Sequence, residues 1–458
     1  MANRAHLIGI GGEGMSALAK VLQARGWRVS GSDLVQGPRT AELERLGIEV
    51  MIGHQEENLS AEAEVVIFSS AVPQENIELA AARRHGLAIL PRLEMVRLLL
   101  REREALGVAG THGKSTTAAM LAFLLERAGL APSFILGAPC PALGGNARWA
   151  SGRHMVAEID ESDGYFIEIG LDLAVITNIG VDHLNNYSSA EALYRAFRRF
   201  ASNSRCLILN GDDGPSRRLL AELGKGPEVL IFGLGEGEGV DLRAVKIHHQ
   251  GFETAFKLVF RGEEVGEVLL PAPGRHNVYN ALAAVLAGWA SGLGFTGMAE
   301  ALRRFTLPER RFQVLHRDGV VVVDDYAHLP EQIEANLGAI RAGWRPGPKR
   351  LIALFQPHRF SRMEALHSRF LHSFDSADRL IVTEIYPACE SPIPGVEALS
   401  LVRAIRKRGK KVDYIPDKEE ILQFLRRELR PGDFLISFGA GDLWEVSHRL
   451  VSSLKLGG

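Results

Sequence analysis

The run Leu106-Gly-Val-Ala-Gly-Thr-His-Gly-Lys-Ser-Thr116 decides how the rest of the chain is read. Leu106–Ala109 is an apolar strand, Gly110 to Gly113 a glycine turn, and Ser115–Ala128 an amphipathic helix. A strand that enters a helix through glycines leaves backbone N–H groups free to cradle phosphates, with Lys114 reaching the β- and γ-phosphates and a hydroxyl available to Mg2+. The strict spacing of such a loop needs glycine at position 108, where this chain has Val108. The working end, Gly110, Thr111, His112, Gly113, Lys114, Ser115 and Thr116, is kept.

Working outward, the same strand–turn–helix pattern recurs along the chain, and the fold class it predicts is α/β. Towards the N-terminus, Gly9-Ile-Gly11-Gly12-Glu-Gly14 follows strand Ala5–Ile10 and precedes helix Met15–Arg25. Asp33, about 20 residues further on, fits a ribose-binding acid. NAD or a nucleotide diphosphate would satisfy that turn equally. Towards the C-terminus, strands at His154–Glu158, Leu173–Thr177 and Cys206–Leu209 continue the central block. A local antiparallel sheet is expected over Glu228–Leu270, then a helical pair over Val278–Phe305. A last block has strands at Val320–Val323, Leu351–Phe355, Leu380–Glu384, Val412–Ile415 and Phe434–Phe438. Its polar strand ends lie where open α/β sheets bind ligands.

Several polar clusters carry chemistry. The acids of Glu158-Ile-Asp160-Glu161-Ser162-Asp163 suit a hard cation beside the phosphate loop, and Thr177-Asn178-Ile-Gly180-Val-Asp182-His183 is a second polar strand end. Asn277 and Asn280 share a helix face at i, i+3, either as caps or as amides for adenine. Arg359 and Arg362 in Gln356-Pro-His-Arg-Phe-Ser-Arg362 share a face too, and form either a carboxylate clamp or surface ion pairs.

With 458 residues, the chain is long enough for about three domains, and 53 Lys+Arg against 55 Asp+Glu argues against a broad nucleic-acid surface. Three scattered cysteines, Cys140, Cys206 and Cys389, match neither a disulfide framework nor a zinc ribbon. The uncharged stretch from Asn277 to Ala299 is broken by glycines and reads as two packed helices, so no membrane insertion and a cytoplasmic location are expected.

Taken in order, these motifs resemble the Mur ligases, the ATP-dependent amino-acid-adding enzymes of peptidoglycan synthesis. The resemblance runs from His6 to Leu443 and rests on Gly31-Ser-Asp33, Gly110–Thr116, Asp160-Glu-Ser-Asp163, Pro273-Gly-Arg-His-Asn277 with Asn280, Asp324-Asp-Tyr-Ala-His328 and Gln356–Arg362. It implies three domains. A Rossmann-like domain over 1–104 would hold UDP-N-acetylmuramate through Gly9, Gly11, Gly12, Gly14, Met15, Ser16, Asp33 and Ser70. A central P-loop ATPase domain over 105–311, with a parallel sheet and a small antiparallel one, would use Lys114 on ATP, with Asn277 and Asn280 at adenine. Arg311 and Asp325 would approach the nucleotide. Mg2+, with Mn2+ as an alternative, would sit on Ser115, Glu161 and His183. A Rossmann-like C-terminal domain over 312–458 would present Tyr326, His328, Arg359 and Arg362 to L-alanine, with Lys114, Glu161, His183 and His328 at the reaction. Leu329 and Gly180 depart from the family, which commonly has a second histidine and an acid there. The resemblance implies amide formation at the lactoyl carboxylate through an acyl phosphate, by a monomer or homodimer. A tripeptide-adding recycling ligase, an NAD-dependent oxidoreductase and a non-catalytic nucleotide or UDP-sugar sensor are the competing readings.

Overall fold

A computed structural model describes residues 3–456 apart from 163, 181–186, 188, 225, 236–238 and 389. Its strands form three sheets, and the chain divides into two compact units. The first unit comprises Met1–Lys246, Phe256–Leu269 and Asn277–Thr306; the second comprises Ile247–Ala255, Leu270–His276 and Leu307–Gly458.

The first unit holds one sheet whole and all of a second except residues 247–250, 253–255 and 270, which belong to the other unit. One has five parallel strands in the order Glu49–Ile52, Arg28–Asp33, Arg4–Ile8, Val65–Phe68, Ala88–Pro91. Chain order reverses beside Arg4–Ile8, so the glycine turn that follows this strand opens at the switch point where such sheets bind ligands. Gly31 lies against that strand with no room for a side chain: a Cβ there would stand 2.4 Å from the Leu7 carbonyl oxygen.

The second sheet runs Glu263–Leu270, Glu253–Phe260, Leu242–Gln250, Glu228–Gly233, Ser204–Asn210, Leu171–Ile176, Glu104–Ala109, His154–Glu158, Ser133–Cys140, Gly145–Arg148. The phosphate-loop strand Glu104–Ala109 is interior, with parallel partners on both sides. The antiparallel sheet expected from Glu228 onward is corrected in part. Glu228–Gly233 and Leu242–Gln250 pair in parallel and extend the central sheet, and only the two hairpins beyond them, each closed by two residues, reverse direction. The hairpin Ser133–Cys140/Gly145–Arg148 gives no alternating signal and was not expected from sequence. It packs on helix Glu13–Ala24, where buried Asn146 donates to the Glu13 carbonyl at 3.2 Å and accepts from Lys20 at 2.9 Å. A single apolar core runs from Leu7, Leu18 and Leu22 through Val96 and Ile135 to Phe166, Phe197 and Phe200.

The second unit contains the sheet Gln313–His316, Val321–Asp325, Asp433–Phe438, Arg350–Phe355, Arg379–Val382, Val412–Tyr414, antiparallel at its first pair and parallel beyond. Period-two alternation splits its strands between two cores: Val323, Ala353, Phe355 and Ile436 face one side, and Val322, Ile352, Leu354 and Leu435 the other. Unbroken apolar runs such as Leu351–Phe355 are what a strand covered on both faces requires.

The uncharged stretch after Asn277 forms helices Arg275–Ala290 and Phe295–Leu302, separated at Gly292, whose φ is +93°. Among the described residues no helix is long and apolar enough to cross a membrane.

Replacing Gly31 with alanine should push apart two paired strands whose clash is with backbone, which cannot rotate away. The expected cost is about 2 kcal/mol, read as a lower unfolding midpoint in calorimetry, with Gly37→Ala as the unobstructed control.

Candidate active site

The phosphate loop is shaped by its neighbours. Gly110 (φ +126°) has Thr177 Oγ1 2.2 Å from where a Cβ would stand, and Gly113 (φ +83°) has Asn280 Oδ1 equally close. Neither position tolerates a side chain. The loop is tied to the end of strand Leu171–Ile176: His112 N–H donates to Asn178 Oδ1 at 3.0 Å, Thr177 Oγ1 donates to the His112 carbonyl at 2.6 Å, and Gly180 N–H donates to Thr111 Oγ1 at 2.7 Å. Gly180, where the family commonly has an acid, thus contributes its backbone. Asn280 Nδ2 donates to Asn277 Oδ1 at 3.2 Å, so these two amides meet each other beneath the loop.

Lys114 opens helix Lys114–Arg127, and its Nζ donates to the Gly110 carbonyl and to Glu161 Oε2, both at 2.7 Å. Burial opposes the ammonium charge, but the carboxylates of Glu161, Asp160 and Glu158 outweigh it and raise its pKa. For fully buried Glu161, burial pushes the carboxyl up to about 7 against the pull of Lys114. An ionised Glu161 therefore needs a cation beside it. Ser115 is buried at the same helix start. His183, expected with them, lies outside the described residues, as do Asp163, Asp182 and Cys389.

In the five-stranded sheet, Gly11 N–H donates to Asp33 Oδ2 at 2.8 Å, which closes the glycine turn. A Cβ on Gly14 would meet the Arg92 guanidinium at 3.1 Å. Sequence reasoning passed over Arg92, which adds a positive charge at the start of helix Glu13–Ala24, an anion-ready position already. Met15 and Ser16 are buried within that helix, with Ser16 Oγ donating to the Glu13 carbonyl at 3.0 Å. Ser70 is exposed after strand Val65–Phe68. Beyond Asp33, Leu34 and Val35 are 62% and 70% exposed, an apolar pair at the sheet's carboxyl edge.

In the second unit, Arg310 is committed to structure: it bonds Asp324 Oδ2 at 3.0 Å and the carbonyls of Gly439 and Gly441. Arg311 lies over the Tyr326 ring at 4.6 Å. Asp325 accepts from Phe312 N–H at 2.6 Å and Ala327 N–H at 2.8 Å, and burial pushes its carboxyl up to about 6. His328 Nδ1 must donate to the Tyr326 carbonyl 2.9 Å away, which leaves Nε2 as the basic nitrogen. Burial, then the charge of Arg362 and His358, hold this imidazole well below the usual histidine range, and it is neutral. Arg362 Nη1 donates to His358 Nδ1 at 2.9 Å, and the His358 ring stacks on Tyr386 with centroids 5.7 Å apart. Arg359 sits at φ +69° with its Nε buried and without a hydrogen-bond partner among the described residues. Leu329, in place of the family's second histidine, is a buried apolar N-cap of helix Pro330–Gly343.

A glycine loop whose lysine meets a buried acid at a helix start is the pattern of a nucleoside-triphosphate site rather than of a nicotinamide site. Comparison narrows this. Three family models match in succession: the Mur ligase family catalytic domain over residues 4–104, the Mur ligase middle domain over 108–288, and the Mur ligase glutamate ligase domain over 310–441. UDP-N-acetylmuramate–L-alanine ligase of Pelotomaculum thermopropionicum is 41% identical, covering 98% of this chain and 97% of its own. That of Oleidesulfovibrio alaskensis is 42% identical, with 97% of each covered. The crystal structure of UDP-N-acetylmuramate-alanine ligase from Thermotoga maritima superposes with a TM-score of 0.87 at 29% identity, over 99% of this chain and 100% of that one. A murein peptide ligase from Psychrobacter arcticus gives 0.72 at 22% identity, over 99% of each. The chain belongs to the Mur ligase family, and it is an ATP-dependent ligase of peptidoglycan synthesis.

Lys114→Met should lower ATP-dependent phosphate release by at least about 1000-fold, measured by coupled phosphate detection. For His328, a folded-state pKa below the unfolded one means that its stability contribution is complete above about pH 6.5 and is lost as pH falls below that. The unfolding midpoint should therefore drop on acidification, and His328→Gln should reduce that drop in parallel melts.

Proposed function

We propose that this chain joins L-alanine to the lactoyl carboxylate of UDP-N-acetylmuramate, converting ATP to ADP and phosphate. The full-length likeness to ligases of that name, together with the Arg359 Nε that has no partner among the described residues, carries the reading. A half-buried arginine at positive φ, three residues before Arg362, suits the carboxylate of a small amino acid. We assign 1–104 to the UDP-sugar, 105–311 to ATP and 312–458 to the amino acid, and the cytoplasm as its location.

The carboxylate of the sugar cannot expel oxide, so it first attacks the γ-phosphorus of ATP, giving an acyl phosphate and ADP. Lys114 and the loop N–H groups hold the phosphate charge during this transfer. Ser115 and Glu161 are hard oxygen donors, and His183 would join them. The set fits Mg2+, because Glu161 needs a cation once Lys114 turns to the phosphates. A bound Mg2+ would neutralise phosphate charge there. His328 Nε2 accepts a hydrogen bond that orients the alanine amine, which sheds its proton to water before it attacks, because an imidazole held well below the usual histidine range is too weak a base to take it. The amine then attacks the acyl carbon, and phosphate leaves with the C–O bond electrons. Arg92 and the glycine turn take the diphosphate of the UDP-sugar, and Leu34 and Val35 offer an apolar face to its base.

Phosphate release, with product mass read in parallel, should require both UDP-N-acetylmuramate and L-alanine. Glycine, L-serine and the tripeptide L-alanyl-γ-D-glutamyl-meso-diaminopimelate should be poor replacements. Preference for the tripeptide would move the assignment to the recycling reaction. Arg359→Leu should raise the KM for L-alanine about 100-fold, as expected when a charge-assisted contact is removed, with little change in the KM for ATP.

A further inference from the structure

Among the described residues of the five-stranded sheet's domain, Glu78 is the one fully buried carboxylate. It lies in the first turn of helix Ile77–Arg84, whose N-cap Asn76 accepts from Glu78 N–H at 2.9 Å. Its Oε2 receives His6 Nε2 at 3.1 Å and the Ser32 hydroxyl at 2.6 Å. Its Oε1 receives Asn58 Nδ2 at 2.6 Å and Gln55 N–H at 3.2 Å. Burial opposes its charge, but these donors bring the carboxyl down to about 2.

The Ser32 hydroxyl has one proton, and an ionised carboxylate at 2.6 Å claims it. His54 Nδ1, 3.0 Å from the same Oγ, must then be the donor. This places the other ring nitrogen, Nε2, opposite the anchored edge of a side chain that is 13% exposed. His54 follows strand Glu49–Ile52 at the carboxyl edge of the sheet, beside Asp33, whose carbonyl accepts from Gly53 N–H at 2.8 Å. Asn58 Nδ2 also donates to the Gly53 carbonyl at 2.9 Å. Ser32 works in two directions: its side chain joins Glu78 to His54, and its carbonyl accepts from Gly9 N–H at 2.8 Å and Ile10 N–H at 3.0 Å, the entrance of the glycine turn.

We propose that Glu78 is a positioning residue of the UDP-sugar site, fixing through Ser32 both the ring orientation and tautomer of His54 and the start of the glycine turn, with His54 Nε2 presented to the sugar nucleotide. The proposal rests on the reading of this sheet as the UDP-sugar site. An apolar residue in place of Glu78 would satisfy a core. A carboxylate that gathers four donors from three segments, one of them leading to a histidine at the ligand edge, holds a geometry instead.

Steady-state kinetics on the full chain test this. Glu78→Gln keeps the shape but replaces one acceptor oxygen with a donor that opposes Ser32 or Asn58. It should raise the KM for UDP-N-acetylmuramate about tenfold, the scale of one such contact, leaving kcat and the KM values for ATP and L-alanine within about twofold. Ser32→Ala, which removes the hydroxyl between Glu78 and His54 and leaves Glu78 its other three donors, should do the same and carries the test if Glu78→Gln fails to fold. His54→Gln combined with Glu78→Gln should be no worse than the weaker single variant. A uniform fall in all parameters, additive effects in the double variant, or unchanged KM values would overturn the proposal. Arg92→Ala separates the two levels. If it too leaves the UDP-sugar KM unchanged, the reading of the sheet as the UDP-sugar site fails; if it raises that KM while Ser32→Ala and Glu78→Gln do not, only the role of Glu78 fails.

Discussion

The contact between Lys114 and Glu161 is the constraint around which the first unit is built. Two opposite charges lie out of water, 2.7 Å apart, with the ammonium also on the Gly110 carbonyl. Neither would stay ionised in that setting without the other, because the desolvation of a lone buried ion costs several kcal/mol. The arrangement forces the loop to curl over the lysine. Gly110 and Gly113 must take positive φ to do so, and Thr177 and Asn280 fill the space that side chains would occupy. The result is a glycine turn held open above a lysine that opens helix Lys114–Arg127.

The same problem, a charge that must survive burial, is solved differently elsewhere. Glu78 is held by neutral and imidazole donors rather than by a lysine, which stabilises the anion without supplying a mobile cation. In the second unit the surplus is positive: Arg362 and His358 surround His328, and the cheapest response is for that imidazole to lose its proton. Two of these buried groups, Lys114 and Glu78, are thus kept charged, and His328 is left neutral. Each state follows from what lies within hydrogen-bonding reach.

Much of the site was legible in the sequence because glycine loops are local. The turns at Gly9–Gly14 and Gly110–Gly113 depend on residues adjacent in the chain, and their strands and helices show the periodicity of their burial. Arg92, Tyr386 and Glu78 were not legible. Each acts on a partner dozens of residues away, and as a single arginine, tyrosine or glutamate it resembles any surface residue. The hairpin Ser133–Cys140/Gly145–Arg148 was missed for a related reason: its glycines, proline and polar residues give no alternation, and it is packing on helix Glu13–Ala24 that makes it a strand pair. At Glu228–Leu270 the alternation was read correctly, but strand direction is a property of the partner and not of the strand.

By itself the sequence determined the class of fold, the two phosphate-type turns, the order of the motifs and the residue types available for phosphate, carboxylate and proton. These are short-range properties, set by backbone sterics and by the spacing of apolar residues. Only the tertiary structure decided which charges meet. It gave Lys114 to Glu161, committed Arg310 to Asp324 while laying Arg311 over Tyr326, drew Asn280 beneath Gly113, and left the Nε of Arg359 without a partner among the described residues. Ionisation depends on burial and on neighbours brought together from distant parts of the chain, and neither exists until the sheets have formed.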